Sequence, residues 1–210
     1  MSPAAARQQL ESKPSMRLFI AVDISETVRD AVVAATAALK QQLDRAGVDR
    51  RAVRWVHPEH LHLTLRFLGE VAEEQTEHVR AALVDPFTVA PFPLTLDGFG
   101  VFPPSGSART IWIDVSEGAS ELVALSRELE RRLATVQCPA EPRPFRAHLT
   151  VGRLRWPDRR VSGSLCADVP PVSRTCTVDC LTLYQSRLSP DGPSYTPIVR
   201  APLASGRRTS

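Results

Sequence analysis

Two stretches of this chain alternate at period two and carry the same short word. His62-Leu63-Thr64-Leu65 and His148-Leu149-Thr150-Val151 each set a histidine and a threonine two residues apart, with a leucine between them. In a strand, residues i and i+2 share one face, about 6.6 Å apart, and the residue between them faces the other way. Each word therefore fits a half-buried strand. Its leucine enters a core, while an imidazole and a hydroxyl stand together on the polar face. The first run extends from His60 to Leu68, with Leu61, Leu63, Leu65 and Phe67 on one side and His60, His62, Thr64, Arg66 and Leu68 on the other. The second covers Ala147–Arg153. Two such strands need sheets around them and apolar layers behind them, which narrows the fold to mixed architectures.

The rest of the chain supplies both. With 210 residues it makes one large domain or two small lobes. Hydrophobic residues make up 43% and charged residues 23%, enough for a core and incompatible with wholesale disorder. Arg17–Asp23 reads as a buried strand. Ser25 can cap a helix carrying Val28, Ala31, Val32, Ala35, Leu39 and Leu43 at helical spacing, ended by Gly47. Val53–Val56 reads as a short strand stopped by Pro58, and Glu73–Leu83 as a polar helix. Phe92–Leu96 and Thr110–Val115 read as strands around the turn-rich Pro103–Ser107, and Leu122, Leu125, Leu129, Leu133 and Val136 mark a second amphipathic helix. Cys176–Ser186 and Tyr195–Val199 complete the strands. This order predicts an α+β fold with mostly antiparallel sheets and helices outside. Each half carries one long helix and, later, one histidine strand.

Residues 1–15 lack periodicity and read as a mobile tail, with Met16 a candidate alternative start. Residues 205–210 read as frayed, leaving 16–204 as the folded part. No run of 18 apolar residues and no secretory leader is visible, so the expectation is a cytoplasmic protein that does not enter a membrane. The four cysteines show no framework spacing. Cys176 and Cys180, read as lying on one strand, would be about 13 Å apart, too far for a disulfide or a shared metal ion. All four are expected to be reduced thiols.

If the two histidine strands converge, one cleft receives two imidazoles and two hydroxyls. Histidine, with an unperturbed pKa of about 6.5, serves as acid or base, and threonine can bind phosphate oxygens without adding charge. Zinc is the competing use of two histidines. Threonine is a poor ligand, however, and no third histidine, cysteine or carboxylate stands at ligand spacing. No phosphate-binding glycine loop and no G-x-S-x-G occurs. His57, His60 and His78 stand alone and read as ordinary. The net charge of +3 suits an anionic ligand. Arg153 could contact phosphate if its strand twists or ends before it. Arg66 shares the predicted face of His62, Tyr184 and Phe67 are candidates to stack on a flat ligand ring, and the cluster Arg143, Arg146, Arg153, Arg155, Arg159 and Arg160 could steer an anionic ligand.

With its two H-x-T-x words in the blocks RLFIAVDI (17–24), RWVHPEHLHLTLRFLGEV (54–71), GFGVFPP (98–104), RPFRAHLTVGRLR (143–155) and LTLYQSRLSPDGPSYTPI (181–198), the chain resembles the two-histidine phosphoesterase superfamily. The resemblance is strongest to the bacterial RNA 2′,3′-cyclic phosphodiesterases, also called 2′-5′ RNA ligases. Ala147 departs from the proline often found there. The resemblance implies a bilobal fold with one motif per lobe around a central cleft. It also implies hydrolysis of RNA 2′,3′-cyclic phosphate ends, tRNA fragments among them, to 2′-phosphates without metal or other cofactor; a monomer is the default expectation, which the sequence itself does not set. Carried over, His62 is the proton donor to the leaving O3′, His148 the base that activates water, and Thr64 and Thr150 the holders of the phosphoryl oxygens. The same groups could join ends through a 2′-5′ bond. Two alternatives stand beside this: a related enzyme acting on a small cyclic nucleotide or a 2′-5′ oligonucleotide, and a non-catalytic RNA-binding module.

Overall fold

Ser25 starts the longest helix of the protein, accepting a hydrogen bond from the Val28 amide at 3.3 Å. The helix, α1 (Glu26–Arg45), buries Val28, Val32, Ala35, Leu39 and Leu43, the stripe its sequence sets at one face. Gly47, at φ 75°, follows its end. In the computed structural model, which describes residues 15–190 and 192–204, nine strands and four α-helices are present. The strands are β1 (Ser15–Asp23), β2 (Val53–Trp55), β3 (His62–Ala72), β4 (Phe92–Phe102), β5 (Thr110–Glu117), β6 (Leu149–Leu154), β7 (Arg174–Val178), β8 (Cys180–Ser189) and β9 (Gly192–Pro202). The remaining helices are α2 (Glu73–Ala82), α3 (Ala119–Thr135) and the short α4 (Gly163–Ala167).

The strands form two antiparallel sheets. One has the order β3-β1-β8-β9, the other β2-β6-β5-β4-β7. The α+β expectation is met, with one motif strand in each sheet. The sheets are not sequence halves, though. Early β2 pairs with β6, and late β8 and β9 join β1 and β3. This exchange brings the motif strand β6 close to β3. Fully buried aliphatic side chains from both sheets and from α1 and α3, such as Ile20, Leu63, Ile113, Leu125 and Leu149, make one core. Each contributes about 1.5–3 kcal/mol relative to exposure.

Several boundaries differ from expectation for identifiable reasons. The run Cys176–Ser186 is two strands: the chain leaves the five-stranded sheet after Val178 and enters the four-stranded sheet at Cys180. Cys176 and Cys180 therefore lie on different strands, and the four cysteines are free thiols. β4 continues past Leu96 to Phe102 through an irregularity between Asp97 and Phe99, where Gly98 adopts φ 71°. β9 is longer than Tyr195–Val199 because it is an edge strand, where Pro193, Pro197 and Pro202 remove no ladder bond the sheet requires. Gly118 begins α3 at φ 87°, where a Cβ would stand 2.6 Å from the Pro93 carbonyl oxygen. Ser15, assigned to the tail, starts β1. The rest of that tail and residues 205–210 lie outside the described residues. Among the described residues, no helix is long and apolar enough to cross a membrane.

Candidate active site

His62 opens β3 and His148 directly precedes β6. Their ring nitrogens are held in the same way. His62 Nδ1 lies 2.7 Å from the carbonyl oxygen of His60, and His148 Nδ1 lies 2.8 Å from that of Arg146. A carbonyl only accepts, so each Nδ1 carries the proton and donates it. In each neutral ring Nε2 is then the basic atom, and on protonation it becomes a donor. Thr64 and Thr150 follow two residues later on the same face of their strands. All four side chains line one cavity of about 1020 Å³ between the sheets.

The two imidazoles sit in unequal surroundings. His62 stacks on Phe19 at 4.9 Å, and Tyr195 meets it edge-on at 5.5 Å. This aromatic casing strips water from the ring and pushes its pKa down to about 4. The bond to the His60 carbonyl and the charge of Asp23 work against that fall. His148 is also lowered by burial first. The bond to Arg146 raises it, and the charges of Arg146 and Arg153 lower it further. Its ring meets Phe102 edge-on at 5.3 Å and Trp112 at 6.2 Å. The Arg146 guanidinium covers both aromatics, 4.9 and 4.7 Å from their centres.

Behind His62, Asp23 is the register partner across β1 and β3. Its carboxylate accepts from Tyr184 Oη at 2.6 Å and Thr182 Oγ1 at 2.9 Å. The Tyr184 ring stacks on Phe19 at 5.1 Å, so Tyr184, Phe19 and His62 form one pile of near-parallel rings. Tyr184 does not line the cavity; it holds Phe19 from behind.

Strict alternation along His60–Leu68 does not survive. Leu65 and Leu68 are each extra residues against β1, where Ile20 and Ala21 pair with Arg66 and Thr64, and Leu18 and Phe19 pair with Gly69 and Phe67. The first bulge reverses the facing of the residues beyond it. Arg66, expected beside His62, turns inward. Its guanidinium donates to Glu141 at 3.1 Å and to the Pro139 carbonyl, and its Nε lies 3.2 Å from Glu130 as an ion pair without hydrogen-bond alignment. Phe67, expected inside, turns into the cavity and is 54% exposed. In β6, Val151 is the extra residue against Ile111 and Trp112, and the same reversal brings Arg153 to the cavity wall. Of the wider basic cluster, only Arg153 lines this cavity.

Sequence reading passed over Phe19, Tyr195, Phe102, Trp112, Arg17 and Arg54. Phe19 and Trp112 stand in unbroken apolar runs, and Phe102 and Tyr195 in strands without a motif, so period alone did not mark them. The two arginines lie within short apolar strands and carry no motif. Among the described residues, no group of three or more His, Cys, Asp or Glu side chains is placed to hold a metal ion.

Comparison with known proteins finds relatives over most of the chain. Residues 28–189 match the family model of the 2′-5′ RNA ligase superfamily. The RNA 2′,3′-cyclic phosphodiesterase of Archaeoglobus fulgidus is 36% identical over 86% of this chain and 96% of its own. The protein of the same name from Escherichia coli K12 is 30% identical over 88% of this chain and 94% of its own. Among solved structures, a Thermus thermophilus protein superposes with TM-score 0.72 and 31% identity, covering 91% of this chain and all of the other. E. coli LigT complexed with 3′-AMP superposes with TM-score 0.70 and 28% identity, with the same coverage.

Proposed function

Because the chain belongs to the 2′-5′ RNA ligase superfamily, we propose that it hydrolyses RNA 2′,3′-cyclic phosphate ends to 2′-phosphates, using His62 and His148 as the acid–base pair. The single observation that supports the pair most is the shared cavity: two imidazoles with Nδ1 tied to a carbonyl and two threonine hydroxyls, brought from both sheets to one space. Displacement at phosphorus requires a base and an acid on opposite sides of the reacting atom.

In the assignment carried by the family resemblance, Nε2 of neutral His148 takes a proton from water. The water oxygen bonds to phosphorus, the P–O3′ bond breaks, and Nε2–H of protonated His62 gives its proton to O3′. The products are a 2′-phosphate and a free 3′-hydroxyl, and a proton exchange returns both rings to their starting states. Thr64 and Thr150 donate to the nonbridging oxygens. Burial holds the His62 pKa near 4, so its acid role relies on the substrate phosphate's negative charge to draw a proton onto it. A 5′-hydroxyl in place of water gives, by the same steps, a 2′-5′ phosphodiester, which is the ligation chemistry. The substrate class includes tRNA fragments, and the protein acts as a monomer in the cytoplasm without a metal.

The test is direct. A 2′,3′-cyclic-ended oligoribonucleotide in excess EDTA should yield the 2′-phosphate. Absence of turnover overturns the reading, and turnover that the chelator abolishes overturns metal independence.

A further inference from the structure

The cavity is larger than the chemistry around the two histidines uses. At about 1020 Å³ it stands at the top of the range, roughly 300–1,000 Å³, that suffices for a drug-sized ligand. Its outer part is built on the far end of the four-stranded sheet, where β3, β1 and β8 lie side by side. Two large apolar side chains are left open there, Phe67 at 54% and Leu188 at 68% exposure. The register puts them on either side of β1, with Phe67 opposite Phe19 and Ser186, two residues before Leu188, opposite Arg17.

The exposure of Phe67 is a product of the backbone. The bulge at Leu65 turns Phe67 from the core into the cavity. An aromatic ring delivered to a cavity wall by a bulge, with another apolar side chain farther out along β8, offers a face for a flat apolar group. The charge around it selects which group. Arg17, Arg54 and Arg153 line the same cavity, with Glu59 the one acidic lining residue among the described residues. This is the composition of single-strand nucleic-acid grooves, in which aromatic faces hold bases and cations track phosphates.

Distance decides which nucleotide it holds. The Phe67 ring lies 6.1 Å from Phe19, whose ring lies 4.9 Å from His62, and Phe67 stands five residues after His62 on β3. Phe19 is only 3% exposed, so it separates the two positions without offering a face of its own. With Leu65 bulged out, a group stacked on Phe67 therefore stands about 13 Å along the strand from His62, beyond the nucleotide that bears the reacting phosphorus. We infer that Phe67 and Leu188 form a subsite for the nucleotide on the 5′ side of the cyclic phosphate, so that the site takes an oligonucleotide end in preference to a free cyclic nucleotide. This rests on the hydrolase reading above.

The experiment compares kcat/KM for adenosine 2′,3′-cyclic phosphate with that for a dinucleotide ending in the same cyclic adenosine. The wild-type protein is expected to favour the dinucleotide by about ten-fold or more, the scale of one base–aromatic stack. Phe67→Ala and Leu188→Ala should each lower that ratio several-fold, and Phe67→Trp should keep it. Both positions are exposed, so circular dichroism should show unchanged folding. A wild-type ratio near one, or a ratio that neither alanine variant changes, overturns the subsite while leaving the hydrolase reading intact. A wild-type protein inert toward both substrates overturns the hydrolase reading and the subsite with it.

Discussion

The acid role of His62 makes a demand that its surroundings in the empty site do not meet, and the size of that demand can be worked out. Packed between Phe19 and Tyr195, the ring is held near pKa 4 and is neutral at pH 7. A bound phosphate oxygen brings a negative charge to hydrogen-bonding range of Nε2. At 4 Å and an effective dielectric of 20, two unit charges attract by about 4 kcal/mol. At 1.36 kcal/mol per pKa unit this is about 3 units, which carries His62 from about 4 to about 7. Substrate would thus create its own acid. Two-bond ¹H–¹⁵N NMR of the ring nitrogens tests this, with His62 assigned by its loss in His62→Gln. Free protein should show the His62 ring titrating well below the ordinary 6.5. Saturation with adenosine 2′-monophosphate should raise it by two units or more. A free value near 6.5, or a low value that the nucleotide does not move, refutes the reasoning.

The same contacts set further expectations. Since the folded His62 value lies below 6.5, the unfolded chain binds more protons between about pH 4 and 6.5. Stability is therefore complete above that window and falls by up to about 3 kcal/mol as pH drops through it. Urea titrations at pH 7 and pH 4.5 should show a smaller pH effect in His62→Asn than in wild type, and equal effects would contradict the burial account. Gly100→Ala would place a Cβ 2.4 Å from the Trp112 ring, which packs near His148 and beneath Arg146. It should cost about 1–3 kcal/mol and lower kcat, and a variant with wild-type melting and kcat would contradict the packing. Arg66→Met leaves Glu130 without its partner and Glu141 with Arg143 alone, and both are about a third exposed, so the cost falls short of a fully buried pair and comes to roughly 2–3 kcal/mol. A melting temperature lowered by about 5–10 °C is expected, and a change below 1 °C would show that the network contributes nothing.

The motif histidines and threonines, the two long helices and the α+β class were legible because each is written as a local period: i and i+2 on a strand, i and i+4 on a helix. What escaped depends on pairing between distant strands. No local rule places an extra residue at Leu65, Leu68 or Val151, since a bulge is fixed by what the neighbouring strand does. Yet Leu65 and Val151 decide whether Arg66, Phe67 and Arg153 face the core or the cavity. The aromatic casing of His62 was hidden for the same reason. Phe19, Tyr184 and Tyr195 come from three strands, and only the order of the four-stranded sheet brings Phe19 and Tyr195 against the His62 ring and Tyr184 against Phe19. The split between Cys176 and Cys180 also belongs to topology, because the chain changes sheets between them without a glycine or proline to mark the change.

The central claim is that two imidazoles act on one phosphorus. Single-turnover rates on a 2′,3′-cyclic-ended RNA, for wild type, His62→Ala, His148→Ala and the double variant, test it most directly. Groups that act as a unit are non-additive. Each single variant should lose about 100-fold or more with its fold intact, and the double should lose far less than the product of the two. A loss of only a few-fold in either single variant, or fully multiplicative losses in the double, would contradict the account.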